Sequence, residues 1–72
     1  MKDAVLLKKI GLRIKVLRAE RDMSQQELGA LINYEKSHMS RLENGNANAG
    51  IVTYYKIAKA LGVTLSELLD IK

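Results

Sequence analysis

Hydrogen-bonding side chains repeat at helical spacing in residues 36–44. If this segment is an α-helix, they share one arc, and Met39 and Leu42 fall on the other side. The residues of the arc are Lys36, Ser37, Ser40, Arg41 and Asn44. Arginine or lysine suits the O6 and N7 of guanine, and a serine hydroxyl suits most bases and phosphates. The segment is therefore a candidate for reading base edges in the major groove of DNA.

Catalytic and metal-binding chemistry has little support in the sequence. The chain has no cysteine and one histidine, His38, which removes the usual Cys-based zinc sites and any His-rich metal site. Glu27 and Glu43 are acids at predicted helix ends, and because no nucleophile or metal cluster accompanies them we interpret both as structural. We expect no enzyme activity, no metal and no cofactor, and we interpret His38 as a solvated side chain.

Apolar residues at helical spacing predict an all-α protein with five helices and no strand. The predicted helices cover residues 3–21, 24–33, 36–44, 51–61 and 64 to the chain end. Two capping boxes, Ser24 with Glu27 and Thr64 with Glu67, begin the second and fifth helices. Asn33 can adopt the left-handed conformation that turns the chain between the second and third helices.

An apolar stripe is predicted to bury one side of each helix. In the first helix it comprises Leu6, Leu7, Ile10, Ile14 and Leu17, with Arg18 at its edge. The predicted inward residues of the later helices are Leu28, Leu31, Ile32, Ile51, Tyr54, Tyr55, Ala58, Leu61, Leu68, Leu69 and Ile71, and Tyr34 is expected to pack in the core or the turn. A second stripe on the first helix, Val5, Leu12 and Val16, is either ordinary surface or a contact for a second subunit or another protein.

Length and composition indicate one small domain, residues 1–72, with an uneven charge. Hydrophobic residues form 47% of the chain, too many for a disordered protein. The net charge is +4, and residues 1–21 hold seven Lys or Arg against two acids, which favours a polyanionic partner. No apolar run is long enough to cross a bilayer. Since no secretory pattern follows Met1, we expect a cytoplasmic protein.

Four segments carry a family pattern, in order, over nearly the whole chain. They are residues 11–18 (GLRIKVLR), 23–28 (MSQQEL), 39–45 (MSRLENG) and 56–69 (KIAKALGVTLSELL). Together they resemble the XRE family, the Cro/C1-type helix-turn-helix regulators. The resemblance implies a five-helix lambda-repressor-like DNA-binding domain, in which the second and third helices form the helix-turn-helix.

The resemblance also implies roles for individual residues. The base readers would be Lys36, Ser37, Ser40 and Arg41, the DNA-backbone contacts Gln25, Asn44 and Asn46, and the internal ion pair Arg18 and Glu43. Departures from the family pattern are Gly29 in place of alanine, Asn33 in place of glycine, Glu35 in place of Ser or Thr, and Asn46 and Asn48 in place of basic residues. Glu35 can cap the third helix, although it brings negative charge near DNA.

These features predict a sequence-specific transcriptional regulator, a repressor that binds a palindromic operator as a homodimer. The expected partners are double-stranded DNA and a second copy, and a chain of this length has no room for a ligand-sensing domain. The favoured dimer surface is the C-terminal helix, with Leu65, Leu68, Leu69 and Ile71, because the resemblance places the dimer contact of many relatives near the last helices. The lysines around the Val5, Leu12 and Val16 stripe would also repel each other across a two-fold axis. The alternative is a protein-interaction module that keeps the fold but binds another protein, such as an antitoxin or regulator partner. The cations Lys36 and Arg41 on the predicted recognition face favour DNA binding over this alternative.

Overall fold

Helices supply the regular structure of the computed structural model, which describes residues 3–71. In chain order they are α1 (Asp3–Glu20), α2 (Gln25–Leu31), α3 (Lys36–Glu43), α4 (Ile51–Leu61) and α5 (Leu65–Leu68). No strand occurs among these residues, and the all-α prediction is confirmed. The largest boundary difference is in α5, which ends at Leu68 instead of continuing to the chain end. Within the same range, no helix combines the length and the apolar character that crossing a bilayer requires.

Local sequence sets the starts of two helices. The Ser24 hydroxyl accepts from the Glu27 amide at 3.0 Å, and the Glu27 carboxylate accepts from the Ser24 amide at 3.0 Å. Thr64 and Glu67 make the same two hydrogen bonds at the start of α5. Both predicted capping boxes are therefore present. Glu35 makes no side-chain cap at α3, since the side chains that reach the first amides well are the shorter Ser, Thr, Asp and Asn.

A single core lies between α1 and the later helices. α1 packs against α3, α4 and α5, and α2 packs against α3 and α4. The buried hydrophobic residues are Ile10, Ile14, Leu17, Leu28, Met39, Leu42, Tyr54, Ile57, Ala58, Leu61 and Leu68. Leu65, Leu69 and Ile71 are partly buried and pack against this core. The apolar residues near the C-terminus therefore stabilise the monomer itself.

Some residues predicted to face the core are exposed: Leu6, Leu31, Ile51 and Tyr55. Leu31 is 62% exposed, because α2 presents Leu28 and Gly29 to the core and successive residues rotate by about 100°. In α4 the buried side carries Tyr54, Ile57, Ala58 and Leu61. Ile57, absent from the predicted stripe, takes the inward place, and Tyr55 is 54% exposed.

Candidate nucleic-acid interface

α2 and α3 form a helix-turn-helix joined by residues 32–35. Asn33 has a φ of 60°, the left-handed conformation predicted for it. The amide of Tyr34 then donates to the carbonyl oxygen of Gly29 at 2.7 Å. A Cβ atom on Gly29 would lie 2.5 Å from the Tyr34 carbonyl oxygen. Glycine at this position therefore lets the turn fold back closely onto α2, which explains the departure from the family pattern.

α3 is buried on one side and polar on the other. Its buried residues are Met39, Leu42 and Glu43. Its outward residues are Lys36, Ser37 and Arg41, which are exposed, and Ser40, which is half-buried. The four residues predicted to read bases therefore lie together on the solvent side of one helix.

A buried carboxylate fixes the C-terminal end of α3 to α1. The side chain of Glu43 is 0% exposed, and Arg18 donates to both of its oxygens, from Nε at 2.8 Å and from Nη2 at 2.9 Å. Nη1 of Arg18 donates to the carbonyl oxygen of Met23 at 2.7 Å. The hydrogen bonds to Glu43 raise the pKa of Arg18, so the guanidinium stays charged. This paired contact sets the orientation of α3.

α3 also lies unusually close to α1 at a glycine. A Cβ atom on Gly11 would lie 2.6 Å from the carbonyl oxygen of Leu42. Gly11 is buried within α1, where glycine is otherwise a weak helix former. The absence of a side chain therefore brings the backbone of α3 against α1, next to the ion pair.

Gln25 joins the same cluster from the start of α2. Its Nε2 donates to Oε1 of Glu43 at 3.0 Å, so one carboxylate connects α1, α2 and α3. Sequence reasoning missed this partner and assigned Gln25 to a DNA phosphate. The two assignments are compatible, because the amide nitrogen carries a second hydrogen that can donate to phosphate.

The residues after α3 close the helix through their backbone. The amide of Asn44 donates to Ser40 at 3.0 Å, and the amide of Asn46 donates to Arg41 at 2.8 Å, in each case to the carbonyl oxygen. Asn44 and Asn46 are both exposed. Their side-chain amides therefore lie at the end of α3 nearest the loop, where they can donate to phosphate.

An aromatic pair beside the polar arc was not predicted. The rings of Tyr34 and His38 meet edge to face, with centroids 5.8 Å apart and planes at 71°. Together with Arg41 they line a cavity of about 180 Å³. His38 is exposed, as expected, but Tyr34 is packed against the core and supports one side of its ring. The spacing of four residues across a helix start was the signal for this contact.

Known proteins share this fold and sequence pattern. The family model HTH_3, helix-turn-helix, matches residues 14–68. Control protein C.MunI from Mycoplasma sp is 41% identical over 61 residues, which cover 83% of this chain and 82% of that protein. The crystal structure of the restriction-modification controller protein C.AhdI from Aeromonas hydrophila is 34% identical, with a TM-score of 0.83 over 86% of this chain and 94% of that chain. The crystal structure of an HTH_3 family transcriptional regulator from Vibrio cholerae is 27% identical, with a TM-score of 0.85. The match covers 93% of this chain and 38% of that longer chain.

The matched range contains the elements that build the site. It includes α2, the turn, α3 and α4, together with Arg18 on α1. The family is one of transcriptional regulators and not of enzymes. The chain therefore belongs to the HTH_3 helix-turn-helix family, of the XRE or Cro/C1 type, and is a DNA-binding transcriptional regulator.

Proposed function

We propose that this regulator binds a palindromic operator as a homodimer and represses transcription. The observation that carries the proposal is the polar arc of α3, held in place by the buried carboxylate of Glu43. An α-helix fits the major groove, where each base pair presents a distinct set of donors and acceptors. A fixed orientation lets a few side chains meet those groups in one register. The regulator bound at the operator then blocks access to the promoter.

The contacts divide into base and backbone contacts. We assign bases to Lys36, Ser37, Ser40 and Arg41, and phosphates to Gln25, Asn44 and Asn46. The exposed cations support the first assignment because they can donate to guanine. The exposed amides at the end of α3 support the second.

A second copy is expected because one short recognition helix contacts few base pairs, which limits affinity and discrimination. The dimer surface predicted from the sequence is used within the monomer, since Leu68 is buried and Leu65 and Leu69 pack against the core. The start of α4 exposes apolar side chains instead, at Ile51, Val52 and Tyr55.

The charge pattern also favours the start of α4 as the dimer contact. Residues 44–55 contain no charged side chain, so two copies can meet there without like-charge repulsion. The segment directly follows α3, so a two-fold axis through it would place the two recognition helices on the same face of the dimer, where they can enter successive major grooves.

The relatives named as control proteins support a narrower role. We propose that residues 1–72 act as one domain that controls the genes of a restriction-modification system, inside the cell where the DNA is. No small-molecule signal is needed in this scheme, because occupancy of the operator follows the concentration of the regulator.

Selection of bound duplexes from a random pool tests this function. We expect inverted half-sites whose centres lie about 34–36 Å apart, one turn of DNA. Arg41→Ala is selected in parallel as the matched control, and its half-site should lose definition at one position. Absence of enrichment would favour the protein-interaction alternative, and enrichment of a lone half-site would contradict the dimer.

A further inference from the structure

α1 carries apolar side chains on two opposite sides. Ile10 and Ile14 face the core. At about 100° per residue, Val5, Leu12 and Val16 fall within a narrow stripe on the other side, which we call the outward stripe. All three are exposed, Leu12 at 58%. Apolar side chains aligned on one exposed side of a helix form a candidate contact surface.

The spacing along the outward stripe suits a second helix. Leu12 follows Val5 by seven positions, and Val16 follows Leu12 by four, as in the seam of packed helices. At about 1.5 Å per residue the stripe is roughly 16 Å long, or three helical turns. A partner helix of moderate length can therefore cover it.

A groove lies along one edge of the outward stripe. Leu12 and Val16 line a cavity of about 240 Å³ together with Ile71, which packs against the core. The charged residues at this groove are Lys9, Arg13 and Asp70. The groove can accept an apolar side chain from a helix that lies on the stripe.

The charges beside the outward stripe are mainly basic and indicate the chemistry of its partner. They are Lys8, Lys9, Arg13 and Lys15, against Glu20 and Asp70. Arg13 is held in place because its Nε and Nη2 donate to the Glu67 carbonyl oxygen at 3.2 and 3.1 Å. A second copy would place cations against cations. A partner with carboxylates flanking an apolar face would be attracted.

We propose that the outward stripe docks an acidic amphipathic helix of another protein, whose apolar face covers Val5, Leu12 and Val16. This inference goes beyond DNA binding. α3 contacts α1 at Gly11, about 100° around the helix from Leu12, and the polar arc is on the side of α3 away from its buried residues. The outward stripe is therefore distinct from the polar arc, and only its edge at Lys8 contacts the loop after α3, at Gly45.

A designed peptide pair tests the proposal with the full chain. The probe is a fluorescent helix of about 20 residues with leucine at the seam positions and glutamate beside them, and its control has lysine in place of glutamate. By anisotropy we expect the glutamate peptide to bind at least about tenfold more tightly than the lysine peptide. Leu12→Ser should weaken its binding by about tenfold. The matched control is Leu31→Ser, at a leucine of similar exposure on α2, which should leave binding unchanged.

Four outcomes would overturn the proposal. Equal binding of the two peptides would remove the charge argument, and equal loss in Leu12→Ser and Leu31→Ser would remove the site. Conversion of a dimer to a monomer by Leu12→Ser would assign the stripe to a second copy. Stripe-dependent binding to phosphatidylglycerol vesicles, without peptide binding, would assign it to a membrane surface. Operator affinity is measured on the same variants, and we expect Leu12→Ser to bind the operator as tightly as the unchanged protein. A failure of DNA binding can therefore be distinguished from a failure of peptide docking.

Discussion

At the residue scale, Glu43 links the orientation of α3 to stability. Its buried carboxylate accepts hydrogen bonds from Arg18 and Gln25. A buried charge is tolerated when it is paired and hydrogen-bonded, and it is costly when a partner is removed. The same residue therefore holds α3 in place and, with it, the exposed face that we propose for DNA.

The Arg18–Glu43 pair should be energetically coupled. We expect Arg18→Met or Glu43→Leu alone to lower the free energy of unfolding by about 3 kcal/mol or more, because each leaves one charge without its partner. The double variant should lose less than the sum by about 0.5–3 kcal/mol. Chemical unfolding of the four proteins measures this cycle, and strict additivity would show that the pair is not coupled.

Arg41 should contribute to sequence discrimination. We expect Arg41→Ala to weaken operator binding by about 1–3 kcal/mol and to relax preference at one position of the half-site, because Arg41 lies on the exposed arc of α3. The free energy of unfolding of the Arg41→Ala variant should differ little from that of the unchanged protein. Lys59→Ala, at an exposed lysine on α4, is the control. A uniform loss across all operator sequences would mean that Arg41 contacts phosphate alone.

At the element scale, the turn between α2 and α3 depends on close backbone approach. The Asn33 conformation and the Tyr34-to-Gly29 hydrogen bond fold the turn onto α2. Helix propensity alone would favour alanine over glycine at residue 29. The structure opposes this preference because the space for a side chain is occupied by a carbonyl group.

Gly29→Ala should therefore destabilise the protein. Alanine gains about 1 kcal/mol of helix propensity, but its Cβ would require the Tyr34 carbonyl to move. The matched variant is Ala30→Gly at the exposed neighbour, which propensity alone predicts to lose about 1 kcal/mol. We expect both variants to melt at a lower temperature. A higher melting temperature for Gly29→Ala would show that the turn relaxes without cost.

At the scale of the whole molecule, the surface divides into three regions of different chemistry. The polar arc of α3 is proposed for DNA, the uncharged start of α4 for the second copy, and the outward stripe with its flanking cations for an acidic helix. This separation allows assembly, DNA binding and partner binding to be perturbed one at a time.

Operator binding should weaken as salt concentration rises. Each phosphate neutralised by the protein contributes about −0.9 to the slope of log affinity against log salt. Arg41→Ala should leave the slope unchanged if Arg41 reads a base. A titration from low to moderate salt measures the slope, and a flat dependence would favour the protein-interaction alternative.

Dimerisation should depend on α4 and not on α5. Val52→Ser with Tyr55→Ser should give a folded monomer with weaker operator binding, because both side chains are exposed in the monomer. Leu65→Ser with Leu69→Ser should lower stability instead, since these residues pack against the core. Sedimentation and thermal unfolding distinguish the two effects. An unchanged dimer in the first variant would exclude the α4 surface.

The sequence by itself determined the local features: the helices, both capping boxes, the left-handed turn at Asn33 and the helix-turn-helix pattern. Each depends on residues within about one helical turn, where spacing and backbone preference suffice. The tertiary structure decided which side of each helix is buried, and so placed Leu31 and Tyr55 outside and Ile57 inside. It also gave Gln25 its partner Glu43 and used the α5 leucines in the core. These outcomes depend on contacts between distant segments, and helical spacing defines a stripe without specifying which neighbouring helix will cover it.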